Sequence, residues 1–270
     1  MQAFAIAILV VSSLLGCGGP SRTSYAQYPG SPPTFDRATS SPEALAVAEQ
    51  VLAAAGGAAA WERAKQIRWK QTISRDGKPF ATGEQAWDRW NARHWARLDR
   101  AEGAGVVVMY EIYGDFASGF IQSKTGNRQL LPSEDRAEGV KVARKAWARD
   151  VTAMCLPFLM TEPGAKLEHL GNVKDGEIEY QDLKITFAAN DPARAGMVVH
   201  AYVDANAVIG RVEIETTDGE RFGYQLSNWT EVDGLKLPGT RKNLGSDEVV
   251  TVEEIKISNP DDSLFIPPVT

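Results

Sequence analysis

The side chains with the widest chemical reach in this chain are two thiols and three imidazoles: Cys17, Cys155, His94, His169 and His200. Cys17 closes a segment in which residues 3–15 read AFAIAILVVSSLL, and Gly16 directly precedes it. An apolar run of that length has the size of a signal-peptide core, and a small residue before the thiol admits a peptidase. A thiol placed there suits thioether attachment of a lipid, the alternative being an ordinary signal peptide with an incidental cysteine. Cys155 lies in Met154-Cys155-Leu156-Pro157-Phe158-Leu159, with no local cation to activate it, so a buried and unreactive thiol is expected. With Cys17 lipidated, Cys155 has no disulfide partner within the chain. No two histidines are close enough to form a local metal clip, so no metal site is assigned. Glu253-Glu254 and Asp261-Asp262 are adjacent pairs, but neighbours on a strand point to opposite faces and do not cooperate as acid and base. GxSxG, Walker and GxGxxG patterns are absent. No catalytic residue and no cofactor is assigned.

Aromatic side chains carry more signal. Trp61, Trp69, Trp87, Trp90 and Trp95 are five of the seven tryptophans and fall within 35 residues. Trp69, Trp87, Trp90 and Trp95 are candidates to line an apolar pocket. The alternative for each is ordinary core packing. Trp87 and Trp90 would face opposite sides of a regular strand, so both line one pocket only across a bulge.

The elements that must position these residues follow from patterning. The chain of 270 residues has a net charge of −6 and no basic block, which excludes nucleic acid as the main partner. Beyond residue 20 no stretch approaches the ~20 apolar residues of a membrane-spanning helix. Residues 18–41 are rich in Pro, Ser and Gly and read as a flexible tether, about 80 Å at full extension and ~27 Å on average. Ser41-Pro42-Glu43 starts a helix that Gly56-Gly57 ends, and a shorter helix carrying Trp61 follows over 58–65. From Ile67 the period changes to two. Strand-like runs follow around 82–90, 93–99, 105–113 and 118–123, with a weaker one at 128–131. They resume near 166–171, 177–187, 197–204, 207–216, 220–230, 236–243 and 249–257. Asp-Gly pairs at 76–77, 175–176, 218–219 and 233–234 mark the turns. One helix interrupts, from Ser133 to about Met154, with Val140, Ala143, Trp147 and Val151 on one face. Short turns without βαβ units imply an antiparallel sheet. The fold class is mainly β with helical insertions (α+β): about eleven strands in one large curved antiparallel sheet, its concave face covered by helices. The narrow stripe of Val140, Ala143, Trp147 and Val151 suits a movable cover, the alternative being a helix permanently packed at one end of the sheet.

Leu14-Leu15-Gly16-Cys17 resembles the bacterial lipobox, although no Lys or Arg precedes Arg22. The chain divides into a signal peptide (1–16), a lipidated Cys17 with its tether (17–41), and a single domain (42–270). Gly18 rather than Asp after the cysteine favours the periplasmic face of the outer membrane over the inner membrane. The run AEQVLAAAGGAAAWERAKQIRW at 48–69, QAWDRW at 85–90, RDVTAMCLPF at 149–158, HAYVD at 200–204 and YQLSNWTEVDGL at 224–235 together resemble bacterial envelope proteins of the LolA/LolB-like, outer-membrane lipoprotein-sorting type. The resemblance spans roughly residues 42–258. It implies a half-open barrel with a helical lid over a cavity for a lipid or a lipoprotein acyl chain, held at the membrane through the lipid anchor. A structural or assembly scaffold is the main rival reading, and a hydrolase assembled only in three dimensions the lesser one.

Overall fold

A computed structural model describes residues 25–100 and 105–268. The signal-peptide segment and Cys17 lie outside the described residues. Among the described residues are three α-helices, α1 (Pro42–Ala54), α2 (Gly57–Arg63) and α3 (Ser133–Leu159). The strands before α3 are β1 (Gln66–Arg75), β2 (Lys78–Asp88), β3 (Arg93–Arg100), β4 (Gly105–Glu111), β5 (Ala117–Gln122) and β6 (Arg128–Leu130). Those after it are β7 (Lys166–Asp175), β8 (Ile178–Thr186), β9 (Val198–Val203), β10 (Ile209–Glu215), β11 (Arg221–Val232), β12 (Leu235–Asn243) and β13 (Val249–Ser258).

All thirteen strands form one sheet in the order β6-β5-β4-β3-β2-β1-β13-β12-β11-β10-β9-β8-β7. The chain starts at the centre, walks outward to β6, crosses to the far edge through α3, and walks back to β13 beside β1. Neighbours pair antiparallel throughout. The edge strands β6 and β7 do not pair with each other, so the barrel is half-open, as the family resemblance implies. The count is thirteen rather than about eleven, and the weaker run at 128–131 is the three-residue edge strand β6.

Local chemistry explains the joints. The Asp76-Gly77 and Asp233-Gly234 turns have positive φ at both positions, the type I′ geometry whose twist matches the flanking strands. The Ser41 hydroxyl caps α1 by accepting the Ala44 N–H at 3.3 Å, and Pro42 occupies the first helical turn. Gly56 ends α1 at φ 115°, and a Cβ there would lie 1.8 Å from the Gly234 carbonyl oxygen. The α1–α2 junction thus rests directly on the β11–β12 hairpin, and only glycine permits that approach.

Helix α3 is two structures in sequence. Residues 133–146 are largely exposed, whereas 150–159 are buried on every side. The second half runs inside the curve of the sheet as its core, with α1 and α2 packed beside it. The second half is therefore core rather than cover, while the first half lies over β4 and β5 with Val140 buried against the core. The stripe residues Val140 and Ala143 belong to that first half, while Trp147 and Val151 belong to the core half. The cause is a switch in sequence from charge-rich 134–145 to the apolar run around Cys155.

The sheet's convex face carries a separate small cluster of Trp95, Val107, Met109 and Phe120, closed by Phe265 from the C-terminal segment. Residues 25–41, expected as part of the tether, instead lie along the body. Tyr28 is buried, Phe35 packs on the core, and the Ser40 hydroxyl accepts the Leu167 N–H at 2.9 Å. Tyr25, Tyr28 and Phe35 are apolar anchors set in a composition that otherwise reads as unstructured.

Candidate functional site

The inner face is built by strand alternation. Ile67, Trp87, His94 and Tyr110 are cross-strand partners on β1 to β4 and all face inward. Trp147 of α3 meets Trp87 edge-on at 5.5 Å. Trp87 lies 5.9 Å from Trp61 of α2, and Trp61 stacks on Phe158 at 4.5 Å. This aromatic chain ties the sheet to two helices, with each ring in the separation range where such pairs attract. His94 is fully enclosed by it. Its Nδ1 lies 3.0 Å from the Tyr110 hydroxyl and its Nε2 3.0 Å from Gln85 Oε1. A neutral imidazole satisfies both contacts, and burial pushes the His94 pKa down to about 3.

A cavity of about 20 Å³ opens at the end of this chain. Its apolar wall is Trp87, Ala92, Ile112, Trp147, Ala148 and Val151. Arg89, Thr152, Glu162 and Arg194 supply its polar side, and residues 25–28 close it from outside. These come from the β2–β3 turn, the end of β4, the core half of α3 and the loops flanking β7 and β8. Among the sequence candidates, Trp87, Trp147 and Val151 border it. Trp69 is buried elsewhere on the inner face, its Nε1 donating to Gln71 Oε1 at 3.4 Å. Trp90 lies in the β2–β3 turn, with the Lys65 ammonium 4.7 Å above its ring. Trp95 points to the convex face. Val140 and Ala143 lie along the outer half of the helix, away from the cavity lining.

Arg89 is the residue that sequence reading missed. Its side chain is 1% exposed. Nη1 donates to the carbonyl oxygens of Trp61 and Ala64, both at 2.6 Å. The guanidinium lies 3.4 Å from the Trp61 ring centre and 4.2 Å from that of Tyr25. Nε and Nη2 have no hydrogen-bond partner among the described residues. Burial lowers its pKa, yet guanidinium stays charged in proteins. The signal was present in Trp87-Asp88-Arg89-Trp90: a cation flanked by two tryptophans and placed at a turn.

The neighbouring cation, Arg194, is by contrast fully answered. It donates to Asp191 Oδ2 at 2.9 Å and to Glu162 Oε2 at 3.0 Å, and Glu162 Oε1 accepts the Tyr25 hydroxyl at 3.0 Å. Residues 25–31 form a strap between the two halves of the sheet. At one end the Ala26 N–H donates to the Arg89 carbonyl at 3.2 Å, and at the other the Asn190 amide donates to the Gly30 carbonyl at 3.3 Å.

Other chemistry stays dispersed. Cys155 is fully buried and burial pushes its thiol up to about 12, as expected for an inert position. His200 Nδ1 lies 3.0 Å from Asp182, on a different strand pair from His94, and His169 is on β7. Among the described residues no group of three His, Cys, Asp or Glu could hold a metal ion, and no single helix is long and apolar enough to cross a membrane.

Solved structures align with most of this chain. A DUF1329 family protein from Desulfovibrio piger aligns over 83% of this chain and 97% of its own, at 9% identity and TM-score 0.49. A LolA superfamily protein from Nitrosomonas europaea aligns over 81% of this chain and 97% of its own, at 13% identity and TM-score 0.47. The chain is similar to these proteins in fold. A Vibrio parahaemolyticus domain named for outer membrane lipoprotein sorting aligns over 80% and 92%, at 8% identity and TM-score 0.42. No protein-family model matches the sequence, and no curated protein does.

Proposed function

We propose that this protein is a lipid-anchored component of the bacterial cell envelope that binds an amphipathic or lipid ligand between its sheet and α3. Cys17 is the anchoring residue, and the outer membrane's periplasmic face is the preferred location. The observation that carries the binding reading is the position of the cavity. It lies in a seam walled by Trp87, Ile112, Trp147 and Val151 and closed on its outer side by the strap rather than by the sheet. At about 20 Å³ it is far below the ~300 Å³ of a small-molecule site. Binding an acyl chain therefore requires residues 25–31 to lift, which opens the seam without breaking any strand pairing.

Native mass spectrometry of the chain without residues 1–17, purified without detergent, tests this. A co-purifying lipid mass is the expected result. An empty spectrum that stays empty after exposure to vesicles supports the scaffold reading, in which the self-filled interior is permanent. For the anchor, a fatty-acid analogue should label the wild type and not Cys17→Ser.

A further inference from the structure

We infer that the seam beneath the strap seats an oxygen-acceptor head group, a carboxylate or an ester carbonyl, at the end of the apolar chain. This rests on the binding reading above and names the ligand chemistry it implies.

Buried polar atoms without partners are rare in folded proteins and each calls for an explanation. Ten buried side-chain nitrogen or oxygen atoms lack one among the described residues, and five belong to residues lining this one cavity: Tyr28 Oη, Arg89 Nε, Arg89 Nη2, Trp147 Nε1 and Thr152 Oγ1. All five can donate a hydrogen bond, and the three nitrogens can do nothing else. What these five atoms lack is an acceptor. A space of about 20 Å³ holds one water, and one water accepts only two hydrogen bonds. A carboxylate accepts about four and matches an arginine fork in two parallel bonds. The nearby carboxylates do not fill that role: Glu162 and Asp191 are both engaged by Arg194. Arg89 remains without a carboxylate in ion-pair range among the described residues. Its guanidinium is clamped by two carbonyls and a tryptophan ring, so it is preorganised and loses little freedom on binding. The apolar wall of Trp87, Ile112 and Val151 lies beside these donors, where the chain of such a ligand would run.

The experiment titrates the protein lacking residues 1–17 with three probes of equal chain length, below their micelle concentrations: dodecanoate, methyl dodecanoate and dodecyltrimethylammonium. Isothermal titration reads affinity. The expected result is that at least one oxygen-headed probe binds about tenfold or more tighter than the ammonium probe. Preference for dodecanoate assigns a free acid, and preference for the ester assigns an esterified acyl lipid. Thr152→Val and Trp147→Phe preserve shape while deleting one donor each. Each should weaken the preferred probe by about three- to tenfold and leave the ammonium probe unchanged. Equal binding of all three heads would overturn this inference while leaving chain binding intact. If none of the probes binds, the binding reading itself falls, and the head-group assignment with it.

Discussion

Arg241 grips Asp150 twice: Nη1 donates to the Asp150 carbonyl at 2.9 Å and lies 3.3 Å from its Oδ1. The contact fastens β12 to α3 at the point where the helix changes from exposed cover to buried core. Both residues are almost wholly buried, and Arg149 Nε adds a second bond to the same carboxylate at 3.0 Å. The two arginines outweigh burial and hold the Asp150 carboxyl below the usual carboxylate range. Removing one partner of a buried pair leaves the other charge stranded, so Arg241→Met should cost about 3–5 kcal/mol. Denaturant titration checks it. A loss below ~1 kcal/mol would show that Arg149 alone satisfies Asp150.

Thr152→Val should stabilise the protein in the absence of ligand. The Thr152 hydroxyl is buried without a partner, and valine keeps the shape and has a similar helix propensity. Replacing an unpaired hydroxyl by an apolar isostere should be worth about 1 kcal/mol, or roughly 2–4 °C in melting temperature for a chain of this size. A lower melting temperature would mean the hydroxyl has a partner such as an ordered water.

His94 should make stability fall with acid. Its folded pKa of about 3 lies below the ordinary 6.5, so the unfolded chain binds the extra proton first. The His94 contribution is complete above pH ~6.5 and is lost as pH falls toward 3, at up to about 1.4 kcal/mol per pH unit within that window. His94→Gln, which keeps a polar group between Tyr110 and Gln85, should flatten the slope in urea unfolding between pH 6.5 and 4. An unchanged slope would assign the acid loss to other groups.

Hydrogen exchange should divide α3 near residue 147. The exposed half, 133–146, should exchange faster than the sheet, since it buries little apolar area. Residues 150–159 should be as protected as β9 to β12, because they are enclosed by the sheet and by α1 and α2. Uniform protection along the helix would remove the distinction between its halves, and uniformly fast exchange would restore a fully movable lid.

Much of this fold was legible because antiparallel strands announce themselves through two-residue periods and Asp-Gly turns. Every strand from β1 to β13 falls on a run that alternation identifies. The helix after Ser133 was legible too, but not its division, since burial on all sides depends on what wraps it. The site was harder to read. Trp87 and Trp95 look equivalent in sequence, and only the register with Ala86 and His94 sends them to opposite faces. Trp69 shares the inner face with Trp87 but lies away from the seam. Arg89 gave no helical or strand pattern, because its role comes from two carbonyls that α2 leaves at its end. Tyr25 and Tyr28 were hidden in a proline- and serine-rich context that composition reads as unstructured.

The strap also fixes where the seam sits relative to any anchor. With lipid on Cys17, the path to Tyr25 is eight peptide steps, at most ~28 Å, against ~80 Å for a free leash ending at residue 41. The opening would then face the head-group layer at close range. With Cys17 anchored as proposed, the leash would run straight into the latch, so a pull between body and bilayer would act first on Tyr25 and Tyr28. Distance from the membrane would in that case set the occupancy of the seam: slack would leave it shut, and tension would draw it open toward the lipid.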